Sequence, residues 1–100
     1  MDRAQFYKEV YSIIKEIPYG NVSTYGKIAQ LIGKPQCSRM VGQALSHAPE
    51  EQHLPCHRVV NSQGRLVPGW QKQKELLEKE GITFKPNGCV NMPKHLWDTT

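Results

Sequence analysis

The stretch Ser23-Thr24-Tyr25-Gly26-Lys27-Ile28-Ala29-Gln30-Leu31-Ile32-Gly33-Lys34-Pro35, continuing through Gln36-Cys37-Ser38-Arg39-Met40-Val41-Gly42-Gln43-Ala44-Leu45-Ser46-His47, decides the fold. Ser23 is placed to cap a helix carrying Tyr25, Ile28, Ala29 and Ile32, which Gly33-Lys34-Pro35 stops. A further helix is expected from about Cys37 to His47, with Met40, Val41, Ala44 and Leu45 inward and Arg39, Gln43 and Ser46 outside. Two short helices joined by a Gly-containing turn make a helix-turn-helix.

Upstream, Phe6, Val10, Ile13, Ile14 and Ile17 recur at three- and four-residue intervals, which predicts an amphipathic helix over about 2–16 that ends before Pro18. Downstream, Glu50-Glu51-Gln52-His53 is polar and loop-like, and Val59-Val60 favours extended structure before the turn Asn61-Ser62-Gln63-Gly64, giving a small hairpin or ribbon. Residues 71–80 read as a fourth helix with Leu76 and Leu77 buried and Gly81 as its stop. Ile82-Thr83-Phe84 reads as a short strand, Pro86-Asn87-Gly88 as a turn, and Trp97 either packs on the first helix or walls a pocket. The expected fold is mainly α: one small winged-helix-like domain, residues 1–100, with a helix-turn-helix and a short β-ribbon around a cysteine motif.

One hundred residues hold a single modest core. Thirteen Lys+Arg against nine Asp+Glu give a net charge of +4, a mild excess that suits a polyanion. Cys37, Cys56 and Cys89 are odd in number and form no C-x-x-C pair, which argues against a disulfide framework or zinc ribbon and fits a reducing, cytoplasmic setting. No apolar run approaches the ~18 residues of a membrane span.

Pro55-Cys56-His57-Arg58-Val59-Val60 carries the chemistry. A thiol attacks as thiolate, so a nucleophilic Cys56 needs its pKa lowered, and His57 and Arg58 follow directly. Glu80 is a candidate to orient His57: a glutamate in the last turn of a helix is usually solvated, but at the negative end of the dipole it gains nothing locally, which favours a tertiary partner. By residue type alone Cys56 reads equally well as a packed core thiol. A metal reading would recruit His53, Cys56 and His57, but it lacks a fourth ligand.

Pro-Cys-His-Arg-Val resembles the active-site signature of the O6-alkylguanine-DNA alkyltransferases, and Asn21-Val22-Ser23-Thr24-Tyr25-Gly26 and Ser38 to Leu45 resemble that family's helix-turn-helix and recognition helix. Leu76-Leu77-Glu78-Lys79-Glu80-Gly81 resembles its Leu-Leu-x-x-Glu-Gly stretch. The resemblance implies a protein that flips an alkylated guanine from duplex DNA through the minor groove and moves the alkyl group irreversibly onto Cys56. His57 would accept the thiol proton through a bridging water, and Glu80 would hold His57. It further implies that Tyr25 contacts the flipped base, that Arg39 fills the vacated space, and that Ser23, Thr24, Gly42, Ala44 and Val59 contribute to lesion and DNA binding. Half-buried packing for Tyr25, phosphate contact for Arg39 and close helix packing for Gly42 and Ala44 are the alternatives. Lys27, Lys34, Arg58, Arg65, Lys72 and Lys74 are candidate phosphate contacts. No cofactor and no metal are implied, and a monomer is expected.

Two departures stand out. The family's Asn-Pro turn is Ala48-Pro49 here, and its Gly-Tyr-x-Gly-Gly element is replaced by a shorter Val67-Pro68-Gly69-Trp70. The opening Phe6-Tyr7, the stretch Gln71-Lys72-Gln73-Lys74 and the ending Asn91 to Trp97 resemble a sister group, the alkyltransferase-like proteins. Those bind alkylguanine without removing the alkyl group and mark it for nucleotide excision repair proteins. They typically carry an unreactive residue where this chain has Cys56.

Overall fold

Asp2 accepts from the Gln5 N–H at 2.8 Å and so caps α1 (Arg3–Glu16), whose Phe6, Val10 and Ile14 are buried one turn apart, with Ile17 continuing the stripe past its end. The structure, a computed structural model, describes residues 2–99; Met1 and Thr100 of the expected 1–100 domain lie outside it. Next come β1 (Ser23–Thr24), α2 (Tyr25–Ile32), a 3₁₀ turn (Pro35–Cys37) and α3 (Ser38–Ser46). The helix-turn-helix is therefore α2 and α3, with Gly33 in the left-handed region at φ +86° making the turn. Thr24, not Ser23, caps α2, accepting from Lys27 N–H at 3.0 Å. Ser23 is committed to a strand instead, and its hydroxyl is buried with no partner among the described residues.

The ribbon exists, but its geometry differs from a hairpin. β2 (Val59–Val60) pairs in parallel with β1, Ser23 opposite Val59 and Thr24 opposite Val60. Because successive side chains of a strand point to opposite faces, this sheet is the seam between two cores. Val59 joins Phe6, Val10, Ile14, Ile17, Ile28, Ala29, Val41 and Ala44 on one side. Val60 joins Val22, Leu77, Ile82 and Val90 on the other.

The fourth helix, α4 (Lys72–Lys79), buries Leu77 and Gln73, and Leu76 is only half-buried. The expected strand at Ile82-Thr83-Phe84 reduces to one antiparallel bridge from Phe84 to Val90 across the turn at 86–88. Glu50–Gln52 forms a 3₁₀ turn rather than an open loop, and His53 follows it at φ +50°. A short α5 (Met92–His95) returns the chain to the centre: Leu96 bridges Val22, and Trp97 N–H donates to Val22 O at 2.8 Å while its ring packs on the first core. Among the described residues no helix is long and apolar enough to cross a membrane.

Candidate active site

Pro55 directs the chain into a single 3₁₀ turn (Cys56–Arg58), closed by Arg58 N–H to Pro55 O at 3.0 Å, and β2 begins immediately after it. The parallel register with β1 then sets Tyr25, the first residue of α2, near Cys56, and both open into one cavity. That cavity of about 880 Å³ is also lined by Gly42 and Leu45 of α3, Leu54, Trp70 and Leu76. Its walls are mainly apolar; exposed Glu50, His53 and Lys72 add charge or polarity. Such a mixture suits a largely apolar ligand oriented by a few polar groups.

Turning the other way from Cys56, His57 and Arg58 converge on Glu80, the residue that caps the C-terminal end of α4. His57 Nε2 lies 2.6 Å from Glu80 Oε2; Arg58 Nε donates to both carboxylate oxygens at 3.0 Å; Gly20 N–H donates to Oε1 at 2.8 Å. The Glu80 side chain is only 4% exposed. Burial alone would raise its pKa, but the Gly20, His57 and Arg58 donors outweigh burial and hold it below the ordinary carboxylate value. An ionised carboxylate only accepts, so His57 Nε2 carries its proton and Nδ1 is left as the basic nitrogen of the neutral ring. The tertiary partner anticipated for Glu80 is present.

Arg58 is largely engaged within the fold: besides Glu80 it donates through Nη1 to Ile17 O at 2.9 Å and lies over the Tyr19 ring at 5.6 Å. Nor does it lower the Cys56 thiol. Burial pushes the Cys56 pKa above its ordinary value, with only its own backbone N–H acting against this, and no side chain among the described residues hydrogen-bonds it. The two side chains that follow it in sequence, His57 and Arg58, point toward Glu80 instead. Burial likewise raises Tyr25.

The other expected site residues divide by burial. Gly42 faces the cavity, and Arg39 is exposed on the first turn of α3 with no hydrogen bond or ion pair among the described residues. Ser23, Ala44 and Val59 are fully buried, so their side chains form the frame rather than a DNA-facing surface, and Thr24 has its hydroxyl in the α2 cap. Ala44 O also accepts from Tyr11 at 2.8 Å, fixing α3 to α1. Trp97 lines a separate cleft with Lys27 and Leu96; the tryptophan of the Cys56 cavity is Trp70. Among the described residues no cluster of three metal-ligating side chains forms, and His57 of the suggested set is engaged by Glu80.

Sequence reading missed Gln73. Its Oε1 accepts from Val67 N–H at 2.8 Å and its Nε2 donates to His57 O and Val59 O, both at 3.1 Å. One buried amide thereby ties the loop before Trp70 to the backbone of the cysteine motif. The signal was present in the spacing Gln73, Leu77, Glu80, which places all three on one face of α4.

Comparisons with known proteins identify relatives in sequence and in structure. A DNA base-flipping protein of Vibrio parahaemolyticus is 43% identical, the match covering 93% of this chain and 96% of that one. A methylated-DNA–protein-cysteine methyltransferase of Methanosarcina acetivorans is 44% identical over 77% of this chain, which spans about half (51%) of that protein's length. In structure, Schizosaccharomyces pombe Atl1, crystallised with damaged DNA containing O6-carboxymethylguanine, superposes with a TM-score of 0.87 at 43% identity, covering 98% and 99% of the two chains. Residues 5–82 match the family described as "6-O-methylguanine DNA methyltransferase, DNA binding domain", and with the cysteine motif, the helix-turn-helix and the fold in agreement, the chain belongs to that family.

Proposed function

We propose that this chain is a DNA repair protein that takes an O6-alkylated guanine out of the duplex into the Cys56 cavity and accepts its alkyl group on Cys56. A base stacked in a duplex cannot present its O6 substituent to a protein thiol, so the nucleotide must be extruded at a cost of a few kcal/mol. Arg39, exposed at the start of α3, fills the vacated step, and Gly42 lets the helix approach the minor groove. The Tyr25 hydroxyl hydrogen-bonds the flipped base.

In the transfer step the Cys56 sulfur forms a bond to the alkyl carbon as the carbon–O6 bond breaks. The electron pair of that bond stays with guanine, and the thiol proton moves to the basic Nδ1 of His57 before guanine regains a proton. A hydrogen on sulfur is thus exchanged for an alkyl group. Glu80 holds the ring and stabilises the imidazolium while the proton is there. The thioether is not hydrolysed, so each molecule acts once, as a monomer and with no cofactor. A cytoplasmic, reducing compartment suits its three free cysteines.

The observation that carries this reading is that Cys56 opens into the cavity and the residue next to it in the chain, His57, is held by Glu80. A second reading is supported by the raised Cys56 pKa and the lack of a side-chain donor on its sulfur. In it, the protein binds alkylguanine as a sensor, leaves it intact and presents it to nucleotide excision repair proteins. Intact-mass spectrometry after incubation with an O6-methylguanine duplex separates the two. One added methyl group mapped to Cys56 establishes transfer, whereas unchanged mass with lesion-selective binding establishes the sensor.

A further inference from the structure

Tyr19 is the most exposed large apolar side chain described, at 67%, and yet it is tightly engaged. Its hydroxyl donates to Lys79 O at 2.8 Å. That carbonyl lies in the last turn of α4, where backbone acceptors run out of helical donors. Its ring faces the Arg58 guanidinium at 5.6 Å. The residues around it in the loop serve the same cluster: Ile17 O accepts from Arg58, and Gly20, at φ +87°, donates its N–H to Glu80 Oε1. Beyond the loop, Asn21 Nδ2 and Val22 N–H both donate to His95 O, which fixes its far end.

The loop is thus a strap over the end of α4, pinned beyond Asn21 by α5 and in its middle by Tyr19. We propose that Tyr19 is a positioning residue for the His57–Glu80 pair. By clipping the strap to Lys79 and backing Arg58, it brings the Gly20 N–H and the Arg58 guanidinium onto the Glu80 carboxylate. Two donors then fix the rotation of that carboxylate, and the carboxylate fixes the imidazole. Core packing does not explain a tyrosine here, because most of its surface is in water. The inference rests on the proposed role of His57 and Glu80, and its test does not require alkyl transfer.

The test is solvent exchange of the His57 Nε2 proton, followed by nuclear magnetic resonance in the full chain without DNA. Wild type is compared with Tyr19→Leu and Tyr19→Phe. Leucine removes both the hydroxyl and the π-face, and the exchange should accelerate about tenfold; phenylalanine keeps the ring over Arg58 and should fall between the two. Backbone amides of Val10 and Ile14 in α1 report on global opening and should be unchanged. Exchange at His57 as slow in Tyr19→Leu as in wild type would overturn the proposal. So would equal acceleration at Val10 and Ile14 in both variants, which would reduce Tyr19 to a general structural role. Where the wild type alkylates Cys56, Tyr19→Leu should slow that step about tenfold while lesion binding stays the same.

Discussion

Glu80 is the shared anchor of His57 and Arg58: its Oε2 lies 2.6 Å from His57 Nε2 and 3.0 Å from Arg58 Nε. Glu80→Gln would set an amide N–H against one of these donors and leave the Arg58 charge, 16% exposed, without its partner. A loss of about 2–3 kcal/mol at neutral pH is expected, below the full cost of an entirely buried pair because Arg58 is partly solvated. Its pH dependence follows from sign. The folded pKa of Glu80 is depressed, so its stabilisation is complete above the ordinary value of 4.5 and is lost as pH falls through the folded value. Urea unfolding should therefore show a constant gap between wild type and Glu80→Gln from about pH 6 to 8, closing only in acid. A gap that does not begin to narrow as pH falls below 4.5 would show that Glu80 stabilises the fold by something other than its charge.

Cys56 should behave as a thiol that burial keeps protonated, not as a preformed thiolate. Its pKa is pushed above the ordinary 9.0, so alkylation by iodoacetamide, resolved from Cys37 and Cys89 by peptide mapping, should rise about tenfold per pH unit up to about pH 9. A plateau beginning near neutral pH would mean that His57 already holds the proton in the free protein. In the transferase reading, the slow small-molecule reaction and a fast lesion reaction differ because the bound guanine sets the alkyl carbon against the sulfur.

Gly64 should be the least replaceable glycine. At φ +85° its added Cβ would lie 2.7 Å from Val90 O and 3.0 Å from Val90 N, backbone atoms that are held by the Val90 N–H to Gly64 O bond. Gly64→Ala should cost at least about 2 kcal/mol, a fall in Tm on the order of 10 °C. Gly26 in α2 has nothing within 4 Å of its Cβ position, so Gly26→Ala should be neutral or stabilising by up to about 1 kcal/mol. Thermal unfolding of the pair checks both, and equal losses would mean that helix position rather than close approach decides.

The first three helices were legible because each carries an apolar stripe, such as Phe6, Val10 and Ile14, or Val41 and Ala44, and α4 was legible from its leucines and the Gly81 stop, whereas α5, four residues long, was not. Glu80 was legible through the Leu-Leu-x-x-Glu-Gly resemblance, with an electrostatic argument beside it, since a carboxylate at a helix C-terminus gains nothing from the helix dipole. The parallel pairing of β1 with β2 was not, because two-residue strands have no periodicity and their partners lie 36 positions apart, Ser23 to Val59. The same limit hid the strap and the burial of Gln73, whose bonds run to loop backbone. For the cysteine motif, the 3₁₀ turn aims Arg58 as well as His57 at Glu80, an engagement that the sequence suggested only for His57.

Gly42 and Arg39 distinguish packing from DNA contact on α3. A Cβ on Gly42 would meet nothing closer than Tyr25 Cε1 at 3.9 Å, an ordinary contact, so the fold itself has room for alanine. Gly42→Ala should keep or raise the Tm, helix propensity favouring alanine by roughly 1 kcal/mol, while weakening lesion-duplex binding severalfold by holding α3 off the groove. Arg39→Ala should also leave the Tm unchanged, because the side chain is exposed and unpaired among the described residues. Its binding loss separates two mechanisms. A phosphate contact contributes through released counterions, so removing it lowers the salt slope by about 1 and its effect fades as salt rises. A side chain occupying the space of an extruded guanine offsets lost stacking, and that contribution persists at high salt. Fluorescence anisotropy on lesion and undamaged duplexes at about 50 and 200 mM salt should therefore show an Arg39→Ala loss on lesion DNA that salt does not remove. A loss equal on both duplexes and gone at the higher salt would place Arg39 on the phosphate backbone, and the vacated step would then need a different occupant.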